Sequence, residues 1–376
     1  MRPAMAVARV LSSLMDQVYD APSWNRPRVL GTMAVMAQTL MGRPVLEFDA
    51  LMRGRIAFDY DDITLAPRLP STLLHRSEAT PDVAFGPVTL RAPMLGSPMP
   101  DVCGLAMCWA LAGSGALGIL HRFQPVGEEV RRLKEAAEAA AGPVGAAVGV
   151  TDDYQERFVR LAEAGCRIVC VDTANGAHIQ VAEAVRWMRA TAADVFLIAG
   201  NVASAEAFTW LEDQGVDAIR VGIAGGSVCE TREETGVFVP TPYAVAEAAS
   251  VRRRALIIGD SGVRSPSDMC KLLALGADCV MVGSAIAGTK EAPGRVIVVE
   301  GKKYKIMRGA ASFSVQQEQD GEDPEYIEGA ETLVPYKGRV VDVIRRYLAG
   351  LRSSMSYMDA RTLREYRSNV RFLRLG

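Results

Sequence analysis

The chain has 376 residues, 49% hydrophobic and 23% charged, the balance of a soluble globular protein long enough for one large barrel or two ordinary domains. A formal net charge of -2 and a pI near 6.1 exclude the basic excess of a protein that wraps nucleic acid, whereas a small acidic ligand needs only a local pocket of donors. No apolar run reaches the roughly 18 residues that span a bilayer, and Arg9 interrupts the apolar N-terminus with no clear cleavage site after it, so a cytoplasmic protein without membrane or nucleic-acid partners is expected.

Residues 1–55 form an extension with helical periodicity over Met5 to Tyr19 and Val29 to Leu40, and they carry no evident chemistry. From about residue 112 short apolar strands alternate with amphipathic helices. The strands are Gly115 to His121, Val144 to Val150, Arg167 to Thr173, Val195 to Asn201, Ala218 to Ile223, Ala255 to Gly259 and Asp278 to Gly283. The intervening helices include Tyr154 to Ala164, Ile179 to Ala192, Ala205 to Gln214, Pro242 to Arg253 and Ser265 to Leu275. Strands that are apolar on both faces, alternating with helices, imply a buried parallel sheet. Repetition over many units of about 25 to 35 residues favours an α/β fold closed as a (β/α)8 TIM barrel over an open sheet. Residues 313–333 are polar and acidic, the composition of a mobile flap. The stretch Gly338 to Phe372 reads as helical and rich in arginine.

Barrel active sites lie at the C-terminal ends of the strands. Here those ends carry Asp172-Thr173-Ala174-Asn175-Gly176, Gly200-Asn201, Gly222 to Ser227, Asp260-Ser261-Gly262 and Gly283-Ser284. Of seven cysteines, six are expected reduced and buried, and the scattered histidines suggest no metal cluster. Cys229 differs, because it sits on the glycine-rich loop Gly225-Gly226-Ser227-Val228-Cys229-Glu230-Thr231-Arg232. There its sulfur is accessible, and amide donors and Arg232 would favour the reactive thiolate. Ser227, Gly262, Gly283 and Ser284 offer amides and hydroxyls to an anion. Asp260 is placed to accept ribose hydroxyls, or else to serve a turn. Glu291, beside Thr231, is a candidate proton relay.

Residues 56–376 resemble the IMP dehydrogenase/GMP reductase family. The likeness rests on Phe58-Asp59-Tyr60-Asp61-Asp62, Ser97-Pro98-Met99, Gly145-Ala146-Ala147-Val148-Gly149, Gly200-Asn201-Val202, Gly226-Ser227-Val228-Cys229, Val334-Pro335-Tyr336-Lys337-Gly338 and Gly350-Leu351-Arg352-Ser353. The resemblance implies a homotetrameric (β/α)8 barrel whose cysteine attacks C2 of a purine nucleoside monophosphate while hydride moves between C2 and a nicotinamide. It assigns catalysis to Cys229, Thr231 and Glu291. Nucleotide contacts fall to Ser97, Met99, Ser227, Asp260, Ser261, Gly262, Gly283, Ser284, Arg308, Gly309 and Ala310. Cofactor contacts fall to Asp172, Thr173, Ala174, Asn175 and Asn201, and potassium to the backbone carbonyls of Ala224, Gly226 and Cys229.

Three features favour the reductase branch. Only the short Leu133 to Pro143 stretch stands where dehydrogenases usually carry a CBS-domain pair, no arginine lies between Arg308 and Arg339 to form a dehydrogenase-type Arg-Tyr pair, and Asp172 to Gly176 and Thr231 to Val237 resemble reductase loops. Gly283 to Gly294 looks more like a dehydrogenase. The pocket departs from both branches. Ser261 and Ala224 replace glycines, Met307 an aromatic residue, Ala310 a methionine and Glu230 a threonine. The expectation is NADPH-dependent reductive deamination of GMP, or of a modified guanine such as a 7-deazaguanine in nucleoside-antibiotic synthesis. An IMP dehydrogenase and an inactive nucleotide-binding paralogue are the alternatives.

Overall fold

The computed structural model describes residues 45–46, 48, 52, 56–139, 142–320, 327 and 329–375. The helices expected over Met5 to Tyr19 and Val29 to Leu40 lie outside the described residues. Eight parallel strands form one sheet: β1 (Met94–Gly96), β2 (Gly118–Leu120), β3 (Val144–Val148), β4 (Ile168–Asp172), β5 (Phe196–Val202), β6 (Ala218–Val221), β7 (Leu256–Asp260) and β8 (Cys279–Val282). Their order is β1-β8-β7-β6-β5-β4-β3-β2. The remaining seam is closed by Gly96 N–H donating to Leu117 O (2.9 Å) and Leu117 N–H to Met94 O (3.1 Å), so the sheet is a barrel. The chain is thus an α/β protein with the (β/α)8 architecture expected from its strand-helix alternation.

The crossovers are α1 (Leu105–Gly113), α2 (Val126–Glu138), α3 (Tyr154–Glu163), α4 (Ile179–Thr191), α5 (Ala205–Asp213), α6 (Thr241–Val251), α7 (Pro266–Leu275) and α8 (Val340–Tyr357). β1, α1 and α2 escaped the sequence reading. β1 is only three residues long, and α1 is apolar all round (Leu105-Ala-Met-Cys-Trp-Ala-Leu-Ala-Gly113), so neither shows a clear period. Among the described residues, no helix is long and apolar enough to cross a membrane.

Between β8 and α8 the chain makes an antiparallel sheet of Ile297–Val299, Lys302–Arg308 and Glu331–Pro335. In the stretch expected as a flap, residues 313–320 are helical and residues 331–333 begin the third of these strands. The C-terminal stretch expected to be helical to Phe372 instead ends in a second helix, Leu363–Asn369, followed by a strand, Arg371–Arg374. That strand pairs with Ile63–Ala66 and Val45–Leu46 in a separate three-stranded sheet.

The N-terminal ends of the barrel strands are locked by acidic side chains. Asp217 Oδ2 accepts the amide of Leu197 (2.7 Å) and Arg189 Nη2 (2.6 Å). Asp278 Oδ2 repeats the motif with the amide of Ile257 (2.8 Å) and Arg252 Nη1 (2.6 Å). Buried Glu212 on α5 accepts the amides of Arg253 (3.2 Å), Arg254 (2.8 Å) and Ala255 (2.8 Å), fixing the approach to β7. Burial by itself would raise the Glu212 carboxyl, but these amides and Arg253 outweigh it and hold the group below its ordinary value. Glu212→Gln should therefore lower the unfolding free energy by about 2 kcal/mol at neutral pH. A depressed folded-state carboxyl contributes fully above the unfolded value of about 4.3 and loses its contribution as pH falls below it. Urea titrations of both proteins should show the gap narrowing only in the acid range.

Candidate active site

The C-terminal ends of the strands surround a cavity of about 440 Å³. Its lining brings together Ser97, Met99, Asp172, Thr173, Ala174, Asn201, Ala224, Gly226, Ser227, Cys229, Thr231, Asp260, Ser261, Gly262, Gly283, Ser284, Gly309 and Ala310 from the sequence-predicted set. Cys229 is partly exposed, whereas the other six cysteines are buried. Burial pushes the thiols of Cys166 and Cys170 up to about 12 and that of Cys270 to about 11, so they are inert. Cys229 Sγ lies 3.2 Å from Thr231 Oγ1, the first residue of the short helix Thr231–Thr235. The Arg232 guanidinium lies over the Phe238 ring at 4.5 Å.

Beneath the thiol loop lies a buried polar network. Arg220, in the middle of β6, pairs with Asp172 at the end of β4 and donates Nε to Asp260 Oδ2 at the end of β7 (2.9 Å). Asn201 donates Nδ2 to the same Asp260 oxygen (2.9 Å) and to Gly222 O (2.7 Å). A register shift in the β5–β6 pairing makes Asn201 the extra residue of a bulge, which turns its side chain toward β6 and β7. Burial works against the Arg220 charge, but Asp260 and Asp172 more than compensate and hold the guanidinium well above its ordinary value.

Arg220 was missed in the sequence, as were Arg122 and Phe123, which also line the cavity. The signal for Arg220 was available: a charge inside a strand apolar on both faces must find a buried partner. Arg122 Nε sits 3.9 Å from Asp172 Oδ2, and its guanidinium lies 4.6 Å from the Phe123 ring centre. Both residues follow the end of β2, where a barrel places its ligand loops.

Two backbone positions explain how the departures from glycine are tolerated. Ala224 has φ +61° and Ser261 φ +90°, so the loops keep left-handed geometry at a cost of about 1 kcal/mol per side chain. Ser261 is held from outside by Tyr60 Oη, which donates to its carbonyl (2.8 Å). At Gly222 no side chain is possible, since a Cβ would lie 1.9 Å from Asp260 O.

Three predicted residues fall outside the lining. Glu291 accepts the amide of Val340 at the start of α8 with Oε2 (2.8 Å). Arg308 is clamped by Asp101 through Nε (2.7 Å), Nη2 (3.0 Å) and its own amide (3.0 Å), which steadies the approach to Gly309 and Ala310. Asn175 Oδ1 accepts the amide of Ala177 (3.1 Å) in an exposed turn. No group of three or more His, Cys, Asp or Glu suited to a metal ion occurs among the described residues.

Arg220→Met would leave buried Asp260 and half-buried Asp172 without their shared cation. It should cost about 3 kcal/mol of stability and abolish turnover, as read by denaturant titration alongside an activity assay.

Residues 57–376 match the family model described as the IMP dehydrogenase / GMP reductase domain. The inosine-5'-monophosphate dehydrogenase of Aquifex aeolicus (strain VF5) is 42% identical over 245 residues, 62% of this chain and 49% of that protein. Its counterpart from Nitrosopumilus maritimus (strain SCM1) is 40% identical over 248 residues, 62% and 52% of the two chains. The chain thus spans about half the length of these curated relatives. Among solved structures, a GMP reductase from Trypanosoma brucei in complex with guanosine 5'-monophosphate superposes with a TM-score of 0.80 at 27% identity, covering 85% of this chain and 96% of that one. With its barrel closed, its thiol at the strand-end cavity and 57–376 matched throughout, the chain belongs to the IMP dehydrogenase/GMP reductase family of oxidoreductases.

Proposed function

We propose that this chain carries out reductive deamination at C2 of a guanine-type nucleotide, with NADPH as the reductant. The observation that carries the reading is the Cys229 thiol, partly exposed at the cavity with Thr231 Oγ1 3.2 Å away. The absence of arginine between Arg308 and Arg339 supports a reductase, because a dehydrogenase must also activate water to hydrolyse its intermediate. The GMP-bound reductase of similar fold points the same way.

In this reading the sulfur of Cys229 bonds to C2, the C2–N bond breaks, and the amine departs as ammonia after gaining a proton. Thr231, which accepts from the Cys229 thiol, passes that proton on to the amine, since an amine leaves readily only when protonated. Glu291, outside the cavity lining, keeps Oε2 on the Val340 amide at the start of α8 and has Oε1 as a second acceptor for the same proton path. A reduced nicotinamide, when bound, would supply the hydride to C2; the C2–S bond then breaks, Cys229 leaves as the thiolate and hydrogen stands where the amine was. Ser227, Gly262, Gly283 and Ser284 hold the phosphate, and Asp260, whose Oδ2 is fixed by Arg220 and Asn201, receives the ribose hydroxyls. Asp172, Thr173, Ala174 and Asn201 border the cofactor side. Ala224 keeps its carbonyl in a left-handed turn, which supports potassium at the backbone carbonyls of Ala224, Gly226 and Cys229. The small Ala310 and the flexible Met307 leave room beside the base, which suits a guanine enlarged at ring position 7. A homotetramer is the assembly we infer from the resemblance.

The curated relatives favour a second reading, oxidation of IMP with NAD. Absorbance at 340 nm separates the two. GMP or a 7-deazaguanosine monophosphate with NADPH should consume the reduced cofactor, whereas growth of NADH from IMP and NAD would select the dehydrogenase. Cys229→Ala should reduce turnover by at least about a thousandfold while nucleotide binding, followed by calorimetry, stays within about threefold. Retained turnover in this variant would remove the covalent mechanism.

A further inference from the structure

The Val334-Pro335-Tyr336-Lys337-Gly338 motif has no part in the chemistry described above, yet it ends a continuous strap that touches both sides of the cavity. At one end, Gly329 bridges Cys229 and Ser312, Ala330 N–H donates to Val228 O (2.9 Å), and Gly309 N–H donates to Ala330 O (2.9 Å). Three backbones cross there without side chains between them. A Cβ on Gly309 would meet Val228 O at 2.7 Å, and one on Gly329 would meet Ser312 N at 2.6 Å. The middle of the strap, Glu331–Pro335, is paired residue by residue with Tyr304 to Arg308.

At the other end, Tyr336 N–H donates to Lys303 O (2.9 Å), Lys337 N–H to Gly288 O (2.8 Å) and Lys290 N–H to Gly338 O (2.7 Å). A Cβ on Gly288 would lie 2.1 Å from Pro335 O, so this junction also has no slack. The Lys337 ammonium then reaches across to the carbonyls of Ser284 and Ala285 (3.1 Å to the latter), in the turn whose Gly283 and Ser284 line the cavity. Both of its hydrogen-bond partners are carbonyls, and burial lowers its pKa.

We propose that Lys337 is a positioning residue that couples occupation of the Gly283–Ser284 side of the cavity to the placement of the Cys229 thiol. A paired strand with tight glycine contacts at both ends transmits a shift along its length, because packed backbone does not deform continuously. Lys337 is the side-chain link that joins the strap to the ligand-lining turn. The inference rests on the nucleotide reading, with Gly283 and Ser284 at its phosphate end.

The test uses ribose 5-phosphate, which fills the phosphate and ribose end without covering the sulfur's target. The rate of Cys229 alkylation by iodoacetamide is measured in the full chain with and without this probe, and Cys229→Ala gives the background. In the native protein, saturating ribose 5-phosphate should change the alkylation rate by about fivefold or more, the scale of an ordinary coupling between sites. Lys337→Met should abolish that response, and Lys337→Arg should restore most of it. Thermal unfolding confirms that both variants fold. If Lys337→Met is destabilised, the native-to-arginine comparison decides, with an arginine variant that folds but lacks the response counting against the proposal. A methionine variant that responds like the native protein overturns it, as does a native protein whose alkylation ignores the probe. Failure of the nucleotide reading shows separately, as no change at 340 nm with any nucleotide and cofactor pair.

Discussion

A guanidinium with almost no access to water, held between two carboxylates from different strands, is the constraint on which the site depends. Arg220 on β6 reaches Asp172 on β4 and Asp260 on β7, so three strand ends are tied through a single cation. The arginine could not be buried without the two carboxylates that face it. The arrangement fixes more than charge. Because Arg220 and Asn201 both approach Asp260 through Oδ2, the carboxylate plane is set before any ligand arrives. Preorganisation of this kind removes the cost of ordering polar groups when substrate binds.

The two ends of the barrel use the same residue types for opposite purposes. At the N-terminal end, Asp217, Asp278 and Glu212 accept backbone amides and neighbouring arginines. At the C-terminal end, Asp172 and Asp260 are anchored yet border a cavity. The distinction is one of surroundings: amides of the next strand saturate a carboxylate, whereas a shared arginine leaves it open on one side. Glu291, close in sequence to the cavity, has one of its oxygens on the amide at the start of α8.

The barrel was legible because its strands are apolar on both faces and its helices are not. Seven strands and the principal crossovers from α3 onward are visible in the alternation alone. β1 and α1 were not, because three residues and an all-apolar helix carry no period. Within the site, Cys229, Asp260 and the glycine-rich strand ends could be read because barrel geometry assigns strand ends to one rim. Arg220 was hidden because it lies within a strand, and Arg122 and Phe123 because the loop after β2 carries no glycine-rich signal. The fate of Glu291 and Arg308 was illegible for another reason: their partners, Val340 and Asp101, are 49 and 207 residues away.

The three-way crossing of backbones at Val228, Gly309 and Gly329 has a consequence for how such a site can diverge. Where main chain meets main chain, no side chain takes part, and substitution is barred by the lack of space. Between those points, positions such as Met307 and Ala310 face the cavity and carry no structural duty comparable to the glycines. Mutation can therefore recut the walls of the chamber, and with them its shape, while the crossing and the Cys229 backbone joined to it stay in register.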